Sequence, residues 1–196
     1  MRKSFFILFL IFPVYLFSQN LDIDVLRNIN LNRDRQLDGF FRVITDSASP
    51  VAYGVAIILI GISFLQNYSH TRKRSLYIGA SVVSAGIITT ILKYSIQRPR
   101  PFITYPFLEK VTSGGSPSFP SGHTTDAFSI ATAVSLAYPK WYVIIPAYAW
   151  AGAVGFTRMD LGVHYPSDVL VAAIIGTSTA FLCYKALQLN SKNEVK

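Results

Sequence analysis

The sequence predicts an all-α integral membrane helical bundle: about five transmembrane helices, preceded by an N-terminal signal peptide or anchor and an amphipathic pre-helix. Three observations carry this. The 196-residue chain is 51% hydrophobic and 14% charged, with a mean hydropathy of +0.38, which is too apolar for an ordinary soluble domain of that length. Five apolar blocks follow one another, at 50–67, 76–92, 124–138, 141–157 and 166–184. Inside them small residues recur, as in Gly79-Ala80-Ser81 and Ser84-Ala85-Gly86, and small residues let membrane helices pack closely.

The elements are read in chain order. Arg2-Lys3, an apolar run from Phe5 to Phe17 and then Ser18-Gln19 form the layout of a secretory signal peptide cleaved after Ser18. Leu16 is larger than such sites prefer and Pro13 interrupts the run, so a retained first anchor is the alternative. Both readings start Gln19 outside the cytoplasm. Residues 1–18 are thus a signal peptide or anchor, 19–190 the membrane domain and 191–196 a cytoplasmic tail. Within 21–46, Leu37, Phe40, Phe41 and Ile44 follow the spacing of a helix with one apolar face, suited to the membrane surface or to a groove against other helices. The only long connection, 98–120, holds Pro99, Pro101, Pro106, Pro117, Pro120 and Gly114-Gly115, the signature of an irregular segment with a few rigid points.

Charge orients the bundle. With residue 20 outside, the first block runs inward to His70, Arg72, Lys73 and Arg74, where the positive-inside rule places basic residues. The second returns outward to Lys93, the third runs in to Lys140, the fourth comes out to Arg158, and the fifth ends in a tail with Lys185, Lys192 and Lys196. The protein is therefore expected to be multi-pass in the cytoplasmic membrane, among membrane lipids. The net charge of +8 does not mark a nucleic-acid partner, because the basic residues form no continuous run with interleaved aromatics. Cys183 is the one cysteine, so no intrachain disulfide forms.

Three polar clusters fall on the expected outer face. Lys93 and Arg100 lie in the first, Ser121-Gly122-His123 forms the second, and Arg158, His164 and Asp168 make up the third. Transfer of a phosphoryl group spreads charge over three oxygens. Lys93, Arg100 and Arg158 supply opposing charge, and the arginines add paired planar hydrogen bonds. Ser121-Gly122-His123 opens an apolar block, so its N–H groups suit a helix N-terminus aimed at an anion. Gly122 allows close backbone approach and Ser121 adds a hydroxyl donor. Asp168, four residues after His164, would fix that imidazole's tautomer and strengthen its attack on phosphorus. His123 would protonate the departing oxygen. The expected cycle is a phosphohistidine followed by water attack, without metal or other cofactor; His123, His164 and the carboxylates lack a familiar zinc-ligand spacing.

At these residues the chain resembles the type-2 phosphatidic acid phosphatase superfamily, which also includes bacterial class A acid phosphatases and vanadium haloperoxidases. The family pattern is met by Lys93 with Arg100-Pro101, by Pro120-Ser121-Gly122-His123, and by Arg158 with His164 and Asp168. The one departure is Thr157, where the family usually has serine; a hydroxyl is retained. The resemblance implies His164 as nucleophile, His123 as acid, Asp168 as the partner of His164, and the other residues as the phosphate cradle. It also implies a lipid phosphate or diphosphate substrate. The short chain and the Asp-rich stretch at 22–38 are similar to the undecaprenyl-diphosphatase branch. Lipid A and phosphatidylglycerophosphate are the alternative substrates. A membrane protein that binds or transports anions without turnover is the alternative of another class.

Overall fold

A computed structural model describes residues 21–65 and 69–193. Among these residues the secondary structure is entirely helical. Residues 21–31 form α1, and a 3-10 turn at Arg35–Leu37 leads into α2 (Asp38–Asp46). The bundle follows: α3 (Ala48–Leu65), α4 (Ser69–Ile96), the short α5 (Pro101–Thr104), α6 (Gly122–Ala137), α7 (Trp141–Asp160) and α8 (Pro166–Asn193). Each apolar block of the sequence is one of the five long helices. The signal peptide or anchor expected at 1–18 lies outside the described residues, as does the end of the expected tail, 194–196.

Among the described residues three stretches are long and apolar enough to cross a membrane by length and composition alone, Arg35–Leu65, Thr71–Thr104 and Pro166–Ala186; the blocks that became α6 and α7 are not among them. For α6 there is a physical cause. At 16 residues it is short, and it packs against α3, α4, α7 and α8. Protein rather than lipid surrounds it, so Thr124, Thr125, Ser129 and Thr132 can be buried there where a lipid-facing helix would need apolar side chains. Its closest neighbour is α8: a Cβ on Gly176 would lie 2.6 Å from the Thr125 carbonyl oxygen and 2.8 Å from the Ser129 nitrogen. Only glycine permits that backbone approach.

The expected amphipathic stretch at 21–46 is broken. Asp34 caps the 3-10 turn by accepting from the Gln36 N–H at 2.9 Å, which separates α1 from α2. The apolar stripe divides as well. Leu37 and Phe40 point outward, Phe41 meets Phe156 edge-on, and Ile44 packs on Ala48, Ala127 and Val154 in the core. The long connection is pinned rather than free. Asn30, fully buried, donates to the carbonyls of Glu109 at 3.0 Å and Asp160 at 2.8 Å, and accepts from the Glu109 N–H at 2.9 Å. Gly162, with φ +74°, turns the chain directly against the Glu109 carbonyl, a position closed to a residue with a side chain.

Candidate active site

Four helix ends meet at one end of the bundle. Lys93 stands near the C-terminus of α4, Ser121 caps α6, Arg158 closes α7, and Asp168 lies in the first turn of α8. Local chemistry sets each. The Ser121 hydroxyl oxygen accepts from the Thr124 N–H at 3.4 Å and the Thr124 hydroxyl at 2.9 Å, an N-cap that leaves Gly122 and His123 as the first residues of the helix. Pro166 starts α8, and the Asp168 carboxylate reaches back to accept from the Tyr165 N–H at 3.0 Å, which is the N3-to-N-cap half of a capping box.

His164 sits on the turn between α7 and α8 and is 1% exposed. Its Nδ1 lies 3.3 Å from Asp168 Oδ2 and its Nε2 lies 3.3 Å from Arg100 Nη1. A guanidinium only donates, so Nε2 is the acceptor and Nδ1 carries the proton toward Asp168. Burial pushes the imidazole down to about 3, against the opposing pull of Asp168, so at neutral pH it is uncharged with its Nε2 lone pair turned to Arg100.

The cradle is built from charges without ion-pair partners. Arg100 donates to the Ser116 carbonyl at 2.8 Å and the Val163 carbonyl at 2.9 Å, and Gly114 lies against its guanidinium. Arg158 donates to the Thr45 hydroxyl at 2.6 Å and the Ser113 carbonyl at 3.4 Å, while its buried Nε has no partner among the described residues. Lys93 donates to the Pro117 carbonyl at 2.7 Å. Lys93, Arg100 and Arg158 are 9%, 5% and 1% exposed, yet none meets a carboxylate in an ion pair among the described residues. Buried charge of one sign is costly unless compensated, so the cradle is complementary to an anion. His123, half-buried, is within electrostatic reach of all three cations.

Residues 74–192 match the sequence model of the PAP2 superfamily. The chain belongs to that superfamily. An undecaprenyl-diphosphatase of Bacillus subtilis is 32% identical over 151 residues, covering 76% of this chain and 74% of its own. A lipid A 1-phosphatase of Rhizobium etli is 36% identical over 106 residues, covering 51% of this chain and 44% of its own. The crystal structure of a transmembrane PAP2-type phosphatidylglycerolphosphate phosphatase from Bacillus subtilis superimposes with a TM-score of 0.72 at 26% identity, covering 98% of this chain and 96% of that one. This PAP2 protein is accordingly a membrane-embedded, multi-helix lipid phosphatase, a hydrolase.

All the site residues expected from the sequence are brought to this end of the bundle. Four that sequence reading passed over are here too. Arg98 donates to Asp168 Oδ1 at 2.7 Å, Ser118 donates to Asp168 Oδ2, Thr45 holds Arg158, and Asp22 accepts from Arg98 at 2.8 Å. Arg98-Pro99 repeats the dipeptide Arg100-Pro101, which was the one available signal. Thr45 and Asp22 act across long sequence separations and left no local trace. Beside Lys93 and Gly122 a cavity of about 450 Å³ opens between α3, α4 and α6, walled by Val83, Ile87 and Ile91.

Proposed function

We propose that this PAP2 phosphatase hydrolyses undecaprenyl diphosphate through a phosphohistidine on His164, without metal, at the outer face of the cytoplasmic membrane. The observation that carries the mechanism is a neutral, Asp168-oriented imidazole whose Nε2 lone pair faces Arg100, beside a cradle of buried Lys93, Arg100 and Arg158 that meet no carboxylate in an ion pair among the described residues. The terminal phosphoryl group binds Lys93, Arg100, Arg158 and the N–H groups at the start of α6. Nε2 attacks phosphorus as the bond to the lipid-side oxygen breaks, and His123 gives that oxygen its proton. Asp168 stabilises the positive charge that His164 gains on forming the N–P bond. Water then attacks phosphorus, its proton passes to His123, and phosphate leaves with His164 restored.

Several features support the substrate and the face. The cavity beside Lys93 has an apolar wall on α4, formed by Val83, Ile87 and Ile91, where an isoprenoid chain can lie while its diphosphate enters the cradle. The Bacillus subtilis undecaprenyl-diphosphatase aligns over a larger share of this chain than the lipid A 1-phosphatase does. The cradle stands at the end of α4 opposite Arg72, Lys73 and Arg74, which the positive-inside rule assigns to the cytoplasm.

Phosphate release by detergent-purified protein in EDTA, from undecaprenyl diphosphate, lipid A and phosphatidylglycerophosphate side by side, tests this reading. Undecaprenyl diphosphate is expected to be hydrolysed fastest, at an EDTA-insensitive rate, with His164→Ala inactive. Loss of the rate in EDTA with rescue by zinc or magnesium would overturn the metal-free mechanism. Preference for either other lipid would reassign the substrate.

A further inference from the structure

We infer that Asp22, on the N-terminal helix α1, is a positioning residue for the reaction, acting through Arg98 on the Asp168–His164 pair. This rests on the reading of His164 as nucleophile. Asp22 is 6% exposed and lies at the N-terminus of α8, although 145 residues separate it from Ser167. Its Oδ1 accepts from the Ser167 N–H at 2.8 Å, and its Oδ2 accepts from Arg98 Nη2 at 2.8 Å and from the Ser167 hydroxyl. The other terminal nitrogen of Arg98, Nη1, donates to Asp168 Oδ1 and to the Ser167 hydroxyl, each at 2.7 Å. The guanidinium also lies over the Tyr165 ring, 3.8 Å from its centroid. One guanidinium is thus shared between a carboxylate from α1 and the carboxylate that faces His164.

The sharing has a chemical consequence. Asp168 divides its two oxygens: Oδ2 accepts from Tyr165 N–H and Ser118 and faces His164 Nδ1, while Oδ1 meets Arg98. A guanidinium presents a two-pronged fork that matches a carboxylate in full. Asp22 occupies one prong, so Arg98 grips Asp168 by a single nitrogen and at a fixed angle. Without the Asp22 charge, Arg98 is free to turn both prongs to Asp168 and its charge goes uncompensated. Negative charge on Asp168 is then drawn toward Arg98 and away from His164, which needs it as the N–P bond forms. Asp22 therefore controls how strongly Asp168 supports the nucleophile.

The test compares wild type, Asp22→Asn, Arg98→Lys, Arg98→Gln, the double variant Asp22→Asn/Arg98→Gln, and His164→Ala, all purified in detergent. Phosphate release from undecaprenyl diphosphate and inhibition by orthovanadate are measured. Vanadate forms a bond to the attacking nitrogen, so its inhibition constant reports on the nucleophile, whereas KM reports on ground-state binding. Asp22→Asn is expected to lower kcat by about 10- to 100-fold, the weight of one charge-assisted hydrogen bond. KM should move by less than about twofold, with vanadate inhibition weakened in parallel. Arg98→Lys should recover part of what Arg98→Gln loses. The double variant should be no slower than Arg98→Gln alone, because one residue acts through the other. Wild-type kcat and vanadate inhibition in Asp22→Asn would overturn the inference, as would strictly multiplicative losses in the double variant or a loss shared equally by KM and melting temperature. Activity surviving in His164→Ala strikes the nucleophile reading and this inference with it; an inactive His164→Ala beside a fully active Asp22→Asn strikes the inference alone.

Discussion

His164 holds its lone pair available by being buried without charge. Its folded value, about 3, lies below the ordinary 6.5 of a histidine. On acidification the unfolded chain takes up this proton first, so between those two values its contribution makes stability rise with pH and fall as pH is lowered. Unfolding of the purified protein followed between pH 7 and pH 4 should therefore show wild type losing more stability than His164→Asn. Equal losses would show that the imidazole is protonated in the folded state. Thr157 illustrates how little a residue's class can say about its task. It bonds the Val154 carbonyl of its own helix at 2.7 Å and is 1% exposed, so the hydroxyl that replaces the family's usual serine faces α7 rather than the cradle.

Among the elements, α6 and α8 set the tolerance of the site, because one supplies the Ser121 cap and the other Asp168, and the Ser121 N–H donates to the Asp168 carbonyl at 3.2 Å. Gly176→Ala forces a methyl group into the backbone of α6 and is expected to destabilise by about 1–3 kcal/mol, read as a lower melting temperature in detergent. Unchanged melting would mean that the helices can separate freely at that crossing. Much of this scale was legible in the sequence. Hydropathy located all five long helices, and Pro-Ser-Gly-His marked the start of α6 because a cap, a glycine and an apolar run form one local signal. The break at 32–34 was not legible, since the periodicity of Leu37, Phe40, Phe41 and Ile44 begins only after it and reports nothing about where the preceding helix stops. Asp22 read only as one residue of the Asp-rich stretch at 22–38, because local patterns carry no information about a guanidinium 76 residues away. The same limit hid Thr45, whose partner Arg158 lies 113 residues further on.

For the whole molecule, the decisive property is that α4 and α7 end, and α6 and α8 begin, at the same end. The connection that includes Gly115 covers this end, and Gly115 is exposed with open space where a side chain would be added. Gly115→Cys, combined with Cys183→Ser, should react in intact cells or spheroplasts with a membrane-impermeant maleimide. Labelling that requires lysis would reverse the proposed orientation.

Three buried cations that meet no carboxylate in an ion pair among the described residues also mean that the fold holds the cradle together against the mutual repulsion of its charges. Inorganic phosphate, the product, relieves that repulsion and binds only the folded chain, which at a hundred times its Kd amounts to about 2.7 kcal/mol of added stability. Melting temperature should climb with phosphate over the concentrations at which phosphate inhibits turnover. As product accumulates, the enzyme grows sturdier and slower at once, so the features that make the site grip a transition state also tie its durability to the supply of phosphate around it.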